Sequence, residues 1–204
     1  MLFRSLTGGV ILAVMIVPFI ISVSREVLLA VPEDQREIFD ELMREGGTHD
    51  FGPGSALIHV PKVRKWEQAM NRCLRNESSL PKSVQELAML VTARTLDCQY
   101  IWNAHAASAR RAGVSDALVV AMRDRTTLPA LAPEEAVVVN YAREFFSTHR
   151  ESDATFQSAL ELFGRRGTVE LAAILGSYSG LALIANSFEV DLSPKRSSEP
   201  LMPV

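Results

Sequence analysis

Three side chains with chemical potential lie close together in the sequence: Glu86, Cys98 and His105. If the stretch from about Cys98 to Arg111 is helical, Cys98, Ile101 and His105 stand at i, i+3 and i+7 and share one face. A carboxylate on the preceding helix can then reach either His105 or Cys98, and a carboxylate paired with an imidazole fixes its tautomer and raises its basicity. A thiol near a histidine and a helix N-terminus is expected to have a lowered pKa.

Two predicted helices position these residues. Pro81 suits the first turn of a helix that carries Glu86, and apolar residues on most sides of that helix indicate a buried, central element. Leu96-Asp97 is the predicted joint. The following helix is expected to end at Gly113, because glycine adopts left-handed geometry without strain.

Proline, glycine and capping residues mark helix boundaries along the rest of the chain. Further helix starts are predicted at Pro32, Pro61, Ser115, Pro133, Ser152 and Thr168, with a helix end at Gly164 to Gly167. Residues 48–56 carry several glycines and prolines and are predicted to form a loop. No run shows the alternation of a strand, and no repeat is visible. We therefore predict an all-α, single-domain helical bundle over residues 32–190, followed by a loose tail over 191–204.

The composition excludes several classes of protein. The chain has 204 residues, 48% of them hydrophobic, and its 21 Lys plus Arg against 24 Asp plus Glu give a formal net charge of -3. This balance gives no cationic excess for binding phosphates, so we expect no nucleic-acid partner. Two cysteines cannot form a disulfide scaffold or a four-thiolate zinc site, and the four histidines include no close metal-ligand pair. We expect no metal ion.

The first 24 residues have the pattern of an export signal. Arg4 is the only charge before Arg25, an apolar region runs from about Val10 to Ile21, and the small residues at 22–24 suit signal peptidase. The segment would serve as a cleaved signal or, if uncleaved, as a membrane anchor. We predict an exported protein, periplasmic or extracellular, or a membrane-anchored one; a misassigned start codon would instead make it cytoplasmic.

The residues around Glu86 and His105 resemble a known family. The carrying segments are Leu80-Pro81, Glu86-Leu87-Ala88, the run from Cys98 to His105, and Ala112-Gly113-Val114-Ser115-Asp116. Their order and spacing are similar to the core repeat of the carboxymuconolactone decarboxylase superfamily, which includes the alkyl hydroperoxidase D-like proteins. The similarity covers about Pro61 to Met122. It implies the alkyl hydroperoxidase D-like helical fold.

One position departs from the hydroperoxidase branch, in which a second cysteine follows the first by three residues. Glu86, Cys98 and His105 match the pattern, but the second cysteine is replaced by Ile101. A disulfide cycle therefore cannot close within the motif. Cys73 lies on another predicted helix and would need its Cα within about 7 Å of that of Cys98. The sequence instead resembles the decarboxylase-like branch, which implies a lactone or small cyclic carboxylic acid substrate and no metal or organic cofactor.

In that hypothesis His105 is the general acid/base at the carbon that loses or gains a carboxylate, and Glu86 orients it. A positioned acid/base group contributes about 10² to 10⁴ in rate. Plain structural interpretations stay open: Cys98 as a small core residue, and His105 as a core histidine bonded to Glu86. Two other functions also stay open, a thiol-dependent peroxidase that uses Cys98 and a non-catalytic helical assembly protein.

The remaining candidate residues would contact the substrate. Tyr100 and Trp102 are expected to shape the pocket wall or the helix packing, and His59 to contribute to the pocket unless it only caps a loop. Arg94 and Arg110 are the nearby cations for a substrate carboxylate.

A homo-oligomer is the expected partner state. The family resemblance implies trimers or hexamers, and small residues from 176 to 182 together with the apolar helix over 137–146 offer surfaces that subunits can bury.

Overall fold

A computed structural model of the chain describes residues 31–45, 51–193 and 200–203. The segment predicted as an export signal or anchor lies outside these ranges. Within them the regular elements are all helical, which confirms the all-α prediction. In chain order they are a 3₁₀ turn at Glu33–Gln35, then α1 Arg36–Arg44, α2 Pro53–Leu57, α3 Pro61–Asn76, α4 Lys82–Thr95, α5 Gln99–Arg111, α6 Asp116–Asp124, α7 Pro133–Thr148 and α8 Asp153–Ser187.

Contacts between residues divide the predicted range of 32–190 into two compact units. The described residues of the first unit are 31–45 and 57–65. Its small core joins one apolar face of α1 to the segment before α3, with Val31, Phe39, Leu42 and Ile58 buried. Surface ion pairs add local contacts, among them Lys62 Nζ to Asp34 Oδ2 at 2.8 Å. Such exposed pairs contribute little to stability.

The second unit, described over 51–56, 66–193 and 200–203, is organised around α4. Every residue of this helix from Val84 to Arg94 is buried, and it packs against α5, α7 and α8. Apolar residues on most of its sides allow this, because no face of the helix has to remain in water. The prediction of a buried central helix is confirmed.

A tight joint connects α4 to α5 at the predicted position. Asp97 has a φ of 48°, and the Cys98 N–H donates to the carbonyl of Ala93 at 2.8 Å. Cys98 is the N-cap of α5, one residue before the helix begins. The short joint holds the two helices side by side, so side chains on their facing surfaces can meet.

Residues 48–56 are only partly the predicted loop, because α2 begins at Pro53. Proline fits the first helical position, where its missing N–H is not needed. The Ser55 hydroxyl also donates to the carbonyl of Gly52 at 2.7 Å. These local effects support one helical turn among the glycines, so the prediction of loop structure is wrong for 53–56.

The predicted helix end near Gly164 appears as a kink within α8. Gly164 has φ 65° and ψ 178°, a conformation open essentially to glycine alone. The Thr168 hydroxyl donates back to the carbonyl of Gly164 at 2.8 Å, the bond of a residue inside a helix, so the predicted helix start at Thr168 is wrong. Beyond the kink, Glu170 accepts hydrogen bonds from Ser78 and Ser79. This anchors the turn before α4 to α8.

Among the described helices, α8 is long and apolar enough to cross a membrane by length and composition. In the structure 44% of its most apolar window is buried, and the helix packs against α4 and α7. A core helix of a water-soluble domain has the same length and composition.

Part of the C-terminal segment, expected to be loose, packs against α5. Met202 is buried and exchanges two hydrogen bonds with the Gln99 side chain, at 2.6 and 3.0 Å. The Trp102 indole donates to the carbonyl of Pro200 at 3.2 Å. Residues 200–203 thus pair with polar groups on α5, a contact that no local sequence pattern predicts.

Candidate active site

The structure brings Glu86 of α4 and His105 of α5 into direct contact. His105 Nδ1 lies 2.8 Å from Glu86 Oε2, and both side chains are more than nine-tenths buried. An ionised carboxylate can only accept, so the Nδ1 atom carries the proton and donates it. In the neutral imidazole this tautomer places the basic lone pair on Nε2.

Opposing effects set the ionisation of Glu86. Burial raises its pKa, but the hydrogen bond and charge of His105, with the charges of Arg75 and Lys82, outweigh burial and hold the pKa below its ordinary value. Arg75 Nη2 lies 3.5 Å from the other carboxylate oxygen, Oε1. Glu86 is therefore an anion held between an imidazole and a guanidinium.

Arg75 was not anticipated by the sequence analysis. It lies near the end of α3, and its side chain is 43% exposed whereas that of Glu86 is 8% exposed. It is thus the cation on the solvent side of the pair. No spacing rule predicts a contact between Arg75 on α3 and Glu86 on α4, so only the packed structure identifies this residue.

Tyr178 of α8 forms another wall of the site. Its ring meets the His105 ring edge to face, with centroids 5.2 Å apart and planes at 82°. Burial raises the pKa of its hydroxyl, so the phenol stays protonated at neutral pH. Tyr178 was also missed, because it lies in an apolar helix where an aromatic residue resembles any other core residue.

The thiol of Cys98 does not match the expected reactive cysteine. Its side chain is fully buried, and burial raises its pKa although the N–H groups of Ile101 and Tyr100 partly oppose this. The expectation of a lowered pKa is therefore wrong: desolvation outweighs the helix N-terminus. Cys73 is exposed on α3, and both cysteines are free thiols.

Tyr100 and Trp102 have separate packing positions. Trp102 is fully buried, with its N–H bonded to the segment 200–203. The Tyr100 ring lies against Gly52, where a Cβ would overlap the ring. A positive φ of 70° at Gly52 also favours glycine. The contacts of these two aromatic rings are those of helix packing.

The two candidate arginines have other partners. Arg94 lies two turns beyond Glu86 on α4, about 12 Å along the helix axis, and its guanidinium bonds to Asp97 and to the carbonyl of Pro203. Arg110 pairs with Asp116 at 2.7 Å. His59 belongs to the first compact unit.

No group of three His, Cys, Asp or Glu side chains in the described ranges is arranged to hold a metal ion. Two cavities, of about 350 and 220 Å³, are lined by residues other than Glu86 and His105. The buried carboxylate–imidazole contact with a guanidinium beside it is an arrangement that can transfer a proton.

Comparison with known proteins finds a family similarity over the part of the chain that holds this site. Residues 63–144, which contain Glu86, Cys98 and His105, match the carboxymuconolactone decarboxylase family. No curated protein sequence matches the chain.

Solved structures share the fold at low sequence identity. A peroxidase-related protein with an alkylhydroperoxidase AhpD core from Ralstonia eutropha has a TM-score of 0.62 and 20% identity, covering 82% of this chain and 90% of its own. A peroxidase-related protein from Silicibacter gives 0.62 and 17%, covering 83% and 90%. A protein of unknown function from Agrobacterium tumefaciens, named for AhpD, gives 0.57 and 14%, covering 65% and 92%. The chain therefore has an AhpD-like helical fold, and the part of it that holds the site, residues 63–144, is similar to the carboxymuconolactone decarboxylase family.

Proposed function

We propose that the chain is an enzyme of the decarboxylase-like branch of the carboxymuconolactone decarboxylase superfamily, acting on a small lactone or cyclic carboxylic acid by acid/base chemistry at His105. The observation that carries this proposal is the buried contact of 2.8 Å between His105 Nδ1 and Glu86 Oε2. It holds one tautomer and one ring orientation of His105, which prepares the imidazole to act as a general acid/base.

The proton step follows from that tautomer. When the substrate loses CO₂, the electron pair of the broken C–C bond stays on carbon, and protonated His105 delivers its Nε2 proton there. The imidazole becomes neutral while Nδ1 remains bonded to Glu86. In the reverse sense, neutral His105 removes the same proton, and the Glu86 carboxylate stabilises the imidazolium that forms.

Arg75 is suited to hold the substrate's carboxylate or lactone oxygen. It is partly exposed and lies beside Glu86, so a ligand that reaches the pair from solvent meets this guanidinium first. Arg94 is less suited to this function, because its guanidinium is bonded at the far end of α4.

A thiol peroxidase is the second candidate, since two proteins of similar fold are named peroxidase-related. The local chemistry of this chain does not favour it. Cys98 is buried with a raised pKa, and Ile101, itself buried, occupies the place of a resolving thiol.

The test is turnover of a panel of lactones and cyclic carboxylic acids, followed by CO₂ release and by deuterium incorporation in D₂O. We expect His105→Gln to lower kcat/KM by about 10² to 10⁴. The matched control is His149→Asn, at an exposed left-handed position that asparagine accepts. Equal turnover by His105→Gln and the wild type would remove the catalytic role of His105, and a folded wild type inert to the whole panel would favour an assembly protein.

A further inference from the structure

The larger of the two cavities named above has a cationic lining and lies in the second compact unit. Its volume is about 350 Å³, and its walls come from α4, α6, α7 and the chain after α6. Three arginines line it, Arg94, Arg125 and Arg143, beside apolar side chains that include Val91, Met122 and Val139. This size and mixed lining are typical of sites for small organic ligands.

Arg94 is the buried member of this group. Its side chain is only 9% exposed, with one terminal nitrogen bonded to Asp97 at 2.9 Å and the other to the carbonyl of Pro203 at 3.1 Å. The remaining donor, Nε, is buried and has no hydrogen-bond partner among the described residues. A buried donor without an acceptor is costly, so a missing acceptor is indicated at this side chain.

The other two arginines of the lining differ in their ion pairs. Arg125 Nη2 lies 2.9 Å from both oxygens of Asp97, the same carboxylate that Arg94 uses. The exposed Arg143 makes no ion pair with any residue the structure describes. Asp124 is engaged by Arg123 at 2.7 Å. The Asp97 carboxylate is therefore shared by two guanidinium groups, those of Arg94 and Arg125, and Arg143 adds a third positive charge to the cavity lining.

Electrostatic strain accompanies this crowding. Burial lowers the pKa of Arg94, and the charge of Arg125 lowers it further, whereas Asp97 and Asp124 partly oppose the change. A guanidinium stays charged in proteins, so the repulsion is relieved by an anion rather than by loss of a proton.

We propose that this cavity binds a small organic carboxylate, with the carboxylate group among Arg94, Arg125 and Arg143 and the apolar body against Val91, Met122 and Val139. The planar guanidinium pairs well with a carboxylate, and the apolar wall discriminates against a wholly polar anion. The site is independent of the proposed acid/base function, because Arg94 and Glu86 are about 12 Å apart along α4.

The test is calorimetric titration of the full chain with benzoate at low ionic strength, with inorganic phosphate as a second probe. We expect saturable binding of one benzoate per cavity, and weaker binding of phosphate. Arg143→Gln and Arg125→Gln should each weaken benzoate binding about tenfold, as expected for loss of one charged hydrogen bond. Both arginines are exposed, so these variants should fold, whereas replacement of the buried Arg94 risks the fold.

Two control variants locate the ligand. Arg165→Gln removes an exposed arginine outside the cavity and should leave affinity unchanged. Arg75→Gln removes the cation at the acid/base pair, so benzoate that binds at this pair instead of in the cavity loses affinity in this variant and not in Arg125→Gln or Arg143→Gln. The proposal is overturned by the absence of saturable benzoate binding, by equal affinity in wild type, Arg125→Gln and Arg143→Gln, by a loss confined to Arg75→Gln, or by phosphate binding as tightly as benzoate.

Discussion

The Glu86–His105 pair and the Cys98 thiol lie on the same helix pair, and all three side chains are buried. Burial has opposite outcomes for their ionisation. Glu86 keeps a lowered pKa because His105, Arg75 and Lys82 outweigh desolvation, whereas only two backbone N–H groups oppose it at Cys98 and its pKa rises. The partners of a buried group, rather than its depth, thus decide which of these positions is ready for chemistry.

The largest expected effect is on catalytic activity, which should depend on His105 and not on Cys98. On any substrate that the panel identifies, Cys98→Ala should keep kcat/KM within about twofold of wild type, whereas His105→Gln loses about 10² to 10⁴. Steady-state kinetics on variants of matched melting temperature measure this contrast. A loss at Cys98→Ala as large as that at His105→Gln would make the thiol a participant.

Peroxide reactivity gives the next contrast. Treatment with hydrogen peroxide should oxidise exposed Cys73 well before buried Cys98, because the thiolate is the reactive form and the raised pKa of Cys98 reduces it. Mass spectrometry of trapped thiols over time measures both rates. Cys73→Ser, which leaves only Cys98, should be nearly inert to peroxide. Rapid, stoichiometric formation of a Cys73–Cys98 disulfide would support the peroxidase instead.

Stability should also distinguish the two positions. Glu86→Ala removes the buried hydrogen-bond acceptor of His105 and the carboxylate that pairs with Arg75. It should therefore lower the free energy of unfolding by about 1–3 kcal/mol. Cys98→Ala removes one sulfur atom from the core and should cost about 1 kcal/mol or less. Urea denaturation measures both changes. Equal costs would mean that the buried pair adds nothing beyond packing.

The smallest effect is on pH dependence. Because the pKa of Glu86 is lowered from 4.5 in the folded state, its ionisation stabilises the protein above pH 4.5, and this contribution is lost as pH falls through the folded-state pKa. The stability gap between wild type and Glu86→Gln should therefore narrow below pH 4.5. Burial raises the pKa of Glu170, but hydrogen bonds from Ser79 and Arg166 lower it to about 2, and this affects both proteins equally. If the stability difference between wild type and Glu86→Gln widened on acidification, the lowered pKa of Glu86 would be contradicted.

Local sequence signals predicted much of the fold. The Ser115 and Ser152 side chains accept hydrogen bonds from the N–H groups of Leu118 and Thr155, as capping residues do. Apolar residues on most sides of α4 predicted its burial. Signals of this kind act within one or two turns, so they can be identified without knowing which helices pack together.

The candidate site was predictable only where sequence neighbours supply it. Glu86 and His105 lie on adjacent helices joined by a short turn, and their spacing alone indicated the contact. Arg75 and Tyr178 reach the pair from α3 and α8, and such contacts depend on tertiary packing. The pKa of Cys98 was predicted wrongly for the same reason, since packing around the N-cap sets its burial.

Two glycines on α8 offer a practical means of handling weakened variants. Gly176 and Gly180 are exposed, and a Cβ at either would meet nothing within 4 Å. Alanine favours a helix over glycine by about 1 kcal/mol at each such position. A Gly176→Ala, Gly180→Ala background therefore has a stability reserve in which variants such as Glu86→Ala can be purified and assayed, provided that no second subunit occupies this face.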